Sequence, residues 1–253
     1  MGRVKIEHDE NSPARTCLPP PKPSNPNNQK ANSARNANII FGPRRKNTKS
    51  DCDLYSVDGD KVTVVGLDLA GVEARPTGFC LLKQTTAKTL LLYTDTEILN
   101  AVQENRPDVV AIDAPLTLPP GRRTIEERTS THLRPCDEEL LRRRIRFFPI
   151  TLGPMRKLTA RGITLKTRLQ ALCFNVIEVY PGGAQDILYI PRKQQGLKLL
   201  KEGLEKLGLS GLAENPSDHE LDAATCAYVG KLYLEGKACV YGTEDHAIIM
   251  PKG

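Results

Sequence analysis

Apolar residues become dense and regularly spaced only from about residue 61, and their spacing from there on predicts alternating strands and helices. Three runs rich in leucine or β-branched residues, joined by short turn-rich links, predict an antiparallel meander at 61–68, 77–83 and 88–93. Helical spacing follows at 94–106, and this segment ends before Pro107. The short apolar run 108–113 is typical of a strand buried in a parallel sheet.

The alternation resumes after an arginine-rich insertion at about 116–160. The patterns there predict, in chain order, a helix, a strand, two helices and a short last strand, at 161–173, 175–180, 194–207, 217–235 and 238–241. This order favours a single α/β domain over 57–253. Its mixed sheet has three antiparallel strands, then parallel strands, and is flanked by helices.

The first 56 residues differ in composition from the rest and predict a disordered basic tail. Residues 1–50 contain 10 lysines and arginines but only 3 acidic residues, a net charge of +7, whereas the other 203 residues carry a net charge of −1. They are rich in proline and asparagine, and their few large apolar side chains cannot offset the entropy of ordering. A basic cluster at 43–49 is compatible with nucleic-acid docking or a localisation signal, but a solubilising tail explains the same composition.

A second basic cluster covers the insertion and the start of the helix after it. Residues 122–161 carry eleven basic and five acidic side chains, and ten of the eleven are arginine, whose planar fork binds phosphate bidentately. Acids at 137–139 precede arginines at 142–144, an order that also suits the dipole of a solvated helix. Both explanations stay open. The basic residues are Arg122, Arg123, Arg128, Arg134, Arg142, Arg143, Arg144, Arg146, Arg156, Lys157 and Arg161.

Other features of the chain disfavour several protein classes. No apolar run approaches the roughly 20 residues of a membrane-spanning helix, and the N-terminus lacks the apolar core of a signal peptide, which favours a cytoplasmic protein. Seven scattered cysteines without a CxxC pair indicate free thiols rather than a zinc site or a disulfide framework. Cys80, Cys173 and Cys226 lie in apolar stretches, so we expect them to be buried.

Three of the predicted strands each carry one acid in an otherwise apolar run, namely Asp68, Asp113 and Glu178. A buried carboxylate is costly unless it is paired, hydrogen-bonded or bound to a metal. All three precede a Gly or Pro link, and the functional crevice of a parallel α/β sheet lies at the carboxyl ends of its strands. Because neighbouring strands lie about 4.8 Å apart, two such acids can share a divalent cation. We therefore predict functional roles for these acids.

The last long helix begins with further titratable residues. Ser217 and Glu220 have the spacing of a capping box, which gives Glu220 a structural explanation. Asp222 lies deeper in the helix and shares a face with Asp218 at i−4 and with His219 at i−3. Asp222 is therefore the main helical candidate, with His219 and Asp218 as the residues that would work with it.

Together these residues predict a site of hard oxygen donors, which suits Mg²⁺ or Mn²⁺ rather than zinc. Two such ions about 4 Å apart stabilise the attacking and leaving oxygens of a phosphodiester displacement, and arginines can position the backbone of DNA or RNA. The predicted metal ligands are Asp68, Asp113, Asp222 and Asp218. The predicted catalytic residues are Asp68, Asp113, Glu178, Asp222 and His219.

Four segments resemble the DUF429 family, predicted nucleases of the ribonuclease H-like fold: VVGLDLAG (64–71), AIDAPL (111–116), IEVYPGGAQDIL (177–188) and SDHELDAATCAYVG (217–230). HELDAA (219–224) also resembles the C-terminal helix of RuvC-type Holliday-junction resolvases, where acids or a histidine three apart bind metal. The resemblance covers about 62–250 and leaves the tail outside it.

The resemblance implies that Asp68, Asp113 and Asp222 correspond to the metal-binding acids of the family. It also implies that Glu178 orients substrate or water. Two features depart from RuvC-like enzymes: Asp113 stands where they usually have Glu, and the arginine-rich insertion has no counterpart in minimal ribonucleases H.

Two other functions compete with a nuclease. The segment 68–71 (DLAG) loosely resembles the first phosphate loop of sugar kinases and actin-like ATPases, but the second phosphate loop and the adenosine loop are not evident. A non-catalytic nucleic-acid-binding module with a vestigial site is the other alternative. The aromatic content of 5% leaves few platforms on which bases could stack, which disfavours single-strand binding of that type.

Overall fold

The computed structural model describes residues 62–243 and 245–253. The strands are β1 (Thr63–Asp68), β2 (Thr77–Lys83), β3 (Thr86–Leu92), β4 (Val109–Asp113), β5 (Val176–Glu178), β6 (Ala238–Thr243) and β7 (His246–Pro251). The helices are α1 (Asp95–Asn105), α2 (Pro135–Arg142), α3 (Gly153–Ala171), α4 (Pro181–Ile187), α5 (Leu197–Lys206) and α6 (Asp218–Leu234). A short 3₁₀ turn, Lys193–Gln195, precedes α5.

Five strands form one mixed sheet in the order β3-β2-β1-β4-β5. The strands β1, β2 and β3 pair antiparallel, as the meander predicts, while β4 and β5 run parallel to β1. Helices flank this sheet, and β6 and β7 form a separate two-stranded hairpin. The predicted α/β class is confirmed, with a mixed sheet of three antiparallel strands followed by parallel strands and with helices on its faces.

Alternation along the strands creates a core on each face of the sheet. One face packs apolar residues of α1 and α3 against side chains such as Val65 and Leu67 of β1. The other face packs α6 against Val64 and Ala111. Gly66 lets α6 come very close, because a Cβ there would lie 2.1 Å from the carbonyl oxygen of Ala223. The small residues of α6 and β1 thus bring the helix start to the ends of the strands.

The insertion and the C-terminal region differ from the prediction. The helix expected at 161–173 begins at Gly153, because Pro154 fits the first turn of a helix, where its missing N–H costs nothing. Helix α4 was not predicted, since Pro181-Gly-Gly is a sequence typical of a turn. The strand expected at 238–241 is β6, and its partner β7 was not predicted.

Some predictions concern residues outside the described ranges, and others are corrected. The predicted tail at 1–56 lies outside the described residues. Cys80 and Cys226 are buried free thiols, as expected, but Cys173 is exposed and disulfide-bonded, so that part of the cysteine prediction is wrong. Within the described ranges, no helix is long and apolar enough to cross a membrane.

Candidate active site

Asp68 and Asp113 lie side by side at the carboxyl ends of β1 and β4. The two strands pair in parallel register, and Asp68 is the direct partner of Asp113. Both side chains are only partly exposed. The structure therefore places two of the predicted carboxylates next to each other at the edge of the sheet where a functional crevice is expected.

The N-terminus of α6 is held over this edge by its cap and by a glycine on β2. Ser217 and Glu220 form the predicted capping box, and Thr89 donates a further hydrogen bond to Glu220 at 2.8 Å. Gly78, the neighbour of Asp68 on β2, leaves room for the helix, since a Cβ there would lie 1.9 Å from the carbonyl oxygen of His219. The first turn of α6 thus meets the end of β1.

His219 and Asp222 extend from this turn toward the strand-end acids. His219 Nδ1 lies 2.7 Å from Asp68 Oδ2, and this hydrogen bond raises the pKa of His219. The Asp222 side chain is buried, and Gln185 of α4 donates a 2.9 Å hydrogen bond to its Oδ1. Four of the residues predicted for one site, including Asp113, therefore come together here.

Lys193 from the 3₁₀ turn places its ammonium group among these acids. Its Nζ lies 2.8 Å from Asp222 Oδ2 and 3.2 Å from Asp218 Oδ2. Burial lowers the pKa of Lys193, but its hydrogen bond and charge interaction with Asp222 and the charge of Asp68 outweigh that effect and raise the pKa overall. The group is therefore a fixed positive charge at the site.

Burial and neighbouring carboxylates disfavour the ionised forms of Asp113 and Asp222. Burial raises the pKa of Asp113 well above its ordinary value, and the charges of Asp68 and Asp222 add to this increase. Burial also raises the pKa of Asp222, although Lys193 partly offsets the effect. For Asp218, burial is the largest single effect and would raise the pKa, but the charges of His219 and Lys193 and the hydrogen bond from Lys193 together outweigh it, so the pKa is lowered. The raised pKa values of Asp113 and Asp222 show that the neighbouring basic groups do not fully offset the burial and mutual repulsion of these acids.

Glu178 lies at the end of β5, and its charge is neutralised by Arg134 of the insertion rather than by a residue of α6 or the 3₁₀ turn. The guanidinium of Arg134 binds it in a two-pronged pair, with Nη1 to Oε2 and Nη2 to Oε1 both at 2.8 Å. The same arginine binds Asp137 at 2.8 Å, and the Leu116 amide donates to Glu178 at 2.7 Å. Glu178, Arg134 and Asp137 are all buried. This buried triad attaches the insertion to the sheet.

The donor atoms suit a divalent cation in kind, although they form no complete cage. Among residues 62–243 and 245–253, no three His, Cys, Asp or Glu side chains are grouped so that they could hold a metal ion. Mg²⁺, however, usually binds through one or two carboxylates together with substrate phosphates and water. Asp68 and Asp113, adjacent in register, provide two carboxylates of this kind.

The basic residues of the insertion divide into structural and exposed groups. Arg134 is buried in the triad, and Arg161 is buried against Asp95 at 2.8 Å and two backbone carbonyls. Arg142 and Arg143 pair with Glu139 but remain largely exposed. The side chains that are exposed to solvent are Arg123, Arg128, Arg142, Arg143, Arg144, Arg146 and Lys157.

Three residues of this region were not foreseen from the sequence in their present roles. Lys193 follows Pro191-Arg192 without a recognisable motif, and only its contacts with α6 mark it as part of the site. Gln185 lies in the IEVYPGGAQDIL segment, where helical spacing after Pro181 was the available signal. Arg134 is one of the eleven basic residues of 122–161, and nothing in its local sequence distinguishes it from the others.

Comparisons with known proteins give few matches. No curated protein matches the chain. Among solved structures, Thermus thermophilus RuvC in complex with a Holliday junction substrate is 13% identical, with a TM-score of 0.42 over 69% of this chain and 96% of that one. A second Thermus thermophilus RuvC structure is 14% identical, with a TM-score of 0.39 over 75% of this chain and all of that one.

The sequence family gives a more definite result. The family described as "Protein of unknown function (DUF429)" matches residues 66–246, which include every predicted site residue. This match spans more than half of the chain, so the protein belongs to the DUF429 family.

Proposed function

We propose that this protein is a divalent-metal-dependent nuclease that hydrolyses phosphodiester bonds in DNA or RNA. The observation that carries the proposal is the register of β1 with β4, which sets Asp68 beside Asp113 at the end of the sheet. Asp222 and His219 from α6 join them. Adjacent carboxylates in a crevice are the arrangement that metal-assisted phosphate chemistry needs.

In this proposal Asp68 and Asp113 hold Mg²⁺ or Mn²⁺, and Asp222 and Asp218 complete the set of acids. The ion, when bound, would polarise the phosphate and lower the pKa of a bound water. His219 fixes the Asp68 carboxylate through its 2.7 Å hydrogen bond, and Gln185 does the same for Asp222. Lys193 contributes a fixed positive charge that can attract the phosphate.

Glu178 enters the proposal as a positioning residue, because both of its carboxylate oxygens bind Arg134. Through this pair it holds the arginine-rich insertion beside the site. The exposed arginines of the insertion would then contact the nucleic-acid backbone. The basic tail is proposed as an additional, sequence-independent contact.

The decisive experiment compares the wild type with Asp68→Asn. The wild type is expected to cut single-stranded or structured DNA or RNA when Mn²⁺ or Mg²⁺ is added. Asp68→Asn should lower the rate by at least about 100-fold, because metal-assisted charge stabilisation contributes several kcal/mol. The matched control is Asp245→Asn, an exposed aspartate in the turn between β6 and β7, which should cut like the wild type.

Equal cleavage by Asp68→Asn and the wild type would contradict the proposal and indicate a contaminating nuclease. Salt-sensitive binding without any cleavage would instead favour a non-catalytic binding module. Stabilisation of the fold by micromolar ATP would favour the phosphotransferase alternative.

A further inference from the structure

A cavity of about 320 Å³ opens beside the acid cluster, and the proposed chemistry does not account for most of its wall. Asp113, Asp222 and Lys193 contribute a charged part of the lining. Another part is apolar and aromatic, with Phe147, Phe148, Met155 and Leu158. The volume lies at the lower end of the range for small-molecule sites, about 300–1,000 Å³.

The aromatic part of the wall comes from the insertion and from the segment after β5. Phe147 and Phe148 precede α3, and Tyr180 follows Glu178. Tyr180 donates a 2.7 Å hydrogen bond to the carbonyl of Arg146, which fixes the insertion next to the cavity. The whole chain has only five phenylalanines and seven tyrosines, so three of its twelve aromatic side chains lie at this one cavity.

Phe148 is exposed to solvent in spite of its size. Its relative exposure is 71%, whereas Phe147 is partly buried. An exposed phenylalanine on the rim of a cavity, with an ammonium group in the same lining, presents a flat apolar surface near a positive charge. A nucleotide has the complementary parts, because its base stacks on an aromatic ring and its phosphate binds a cation.

We propose that this cavity receives the base of one unpaired nucleotide, with Phe148 as the stacking surface. Its phosphate then lies toward Lys193 and the carboxylates. This inference rests on the proposed function and narrows its substrate class to nucleic acid that is single-stranded or unpaired at the bound position. A base within an intact duplex is stacked and paired on both sides, so it must leave the helix before it can enter a cavity.

Binding measured without cleavage tests this inference. The Asp68→Asn variant is used in a buffer that contains Ca²⁺. Fluorescence anisotropy measures its affinity for a labelled thymidine decamer and for a labelled decamer of abasic residues. A ribouridine decamer forms a parallel arm. The normal strands should bind about tenfold more tightly than the abasic strand, because base stacking on an aromatic side chain is worth about that factor.

The variant Phe148→Ala should remove this difference. It is expected to lose about tenfold in affinity for the thymidine decamer and to bind the abasic decamer like its parent. The matched control is Tyr189→Ala, because Tyr189 is 94% exposed and lies outside the cavity lining. Equal affinity for normal and abasic strands, or equal loss in both variants, would overturn the proposal, and so would the absence of any oligonucleotide binding.

Cleavage assays with the wild-type protein, which keeps Asp68, separate the base-binding proposal from the nuclease proposal. If Mn²⁺ supports cutting but abasic and normal strands are cut at the same rate, the base site is wrong and the nuclease proposal stands. If base-dependent binding is present but no strand is ever cut, the nuclease proposal is wrong and the base site stands.

Discussion

Asp113 and Glu178 end two neighbouring parallel strands, β4 and β5, and their carboxylates have different partners. Both oxygens of Glu178 are bound by the buried guanidinium of Arg134. Asp113 instead faces other carboxylates, and burial and the charges of Asp68 and Asp222 raise its pKa. Two acids that look alike in sequence therefore differ in their surroundings, since an arginine neutralises one carboxylate inside the protein and the other lies among further acids.

The difference comes from the geometry of the basic side chains, Arg134 and Lys193, rather than from the acids themselves. Arginine presents a rigid fork that occupies both oxygens of one carboxylate, and the resulting buried pair is closed to further ligands. Lys193 is a single charge shared between Asp222 and Asp218, and Asp68 is paired with His219. Among the described residues, no arginine closes Asp113 in the way that Arg134 closes Glu178. The next three variants test this contrast, beginning with the largest expected effect.

Arg134→Met should cause the largest loss of stability. It leaves Glu178 and Asp137 buried without their counter-charge, and removing one partner of a buried ion pair costs about 3–5 kcal/mol. Chemical denaturation monitored by circular dichroism would measure the free energy of unfolding. Arg123→Met, which changes an exposed arginine of the same insertion, should cost less than about 0.5 kcal/mol.

A double variant sharpens this test. Arg134→Met combined with Glu178→Leu should recover part of the lost stability, because it removes one of the two unpaired buried charges and leaves only that of Asp137. If Arg134→Met is as stable as Arg123→Met, the pairing with Arg134 does not neutralise Glu178 in a way that distinguishes it from Asp113.

Lys193→Met should have an intermediate effect that a metal ion reverses. The variant leaves the buried Asp222 carboxylate without its ammonium partner, which is expected to cost about 1–2 kcal/mol without metal. Added Mn²⁺ should raise the melting temperature more for this variant than for the wild type, because a ligand that binds the folded state stabilises it. Thermal unfolding with EDTA and with Mn²⁺ measures both effects.

The control for this experiment is Lys198→Met, an exposed lysine on α5 that should leave stability and the Mn²⁺ response unchanged. If Mn²⁺ stabilises neither the wild type nor Lys193→Met, the acids around Lys193 do not bind a divalent ion.

Ser217→Ala should have the smallest effect on stability, and Thr94→Ala provides the matched comparison. Both residues cap a helix through a capping box, and the loss of either side chain is expected to cost about 1 kcal/mol. Only Ser217 precedes the turn that carries His219, so Ser217→Ala should also lower nuclease activity several-fold. Paired denaturation and cleavage assays would detect this, and equal activity of the two variants would contradict the role of the cap in positioning the site.

The regular elements were largely predictable, and the exceptions have local causes. The predicted bounds of β2 agree with the structure, and α1 and α6 differ from their predicted bounds by one residue at each end. These elements have clear periodicity and capping residues, which act within a few positions of the chain. Helix α4 begins with Pro181-Gly-Gly, and its helical conformation depends on packing against α6 and β7.

The candidate residues were also recognisable, because acids are rare in buried strands and their alternation shows which face they occupy. The pairing of each acid was not recognisable. Arg134 meets Glu178 across 44 residues of sequence, and ten other basic residues in the same region were equally plausible partners. Lys193 reaches Asp222 because α4 packs against α6 and the chain after α4 brings the 3₁₀ turn within ion-pair distance of the start of α6.

The sequence by itself determined the class of fold, the register of alternation in each strand and the residue types available for chemistry. These properties follow from local spacing, which fixes the face that each side chain occupies. The tertiary structure decided which carboxylates lie among further acids and which are closed by an arginine. That outcome depends on contacts between distant segments, and the free energy of a buried charge is set by the partner a few ångströms away rather than by its neighbours in the chain.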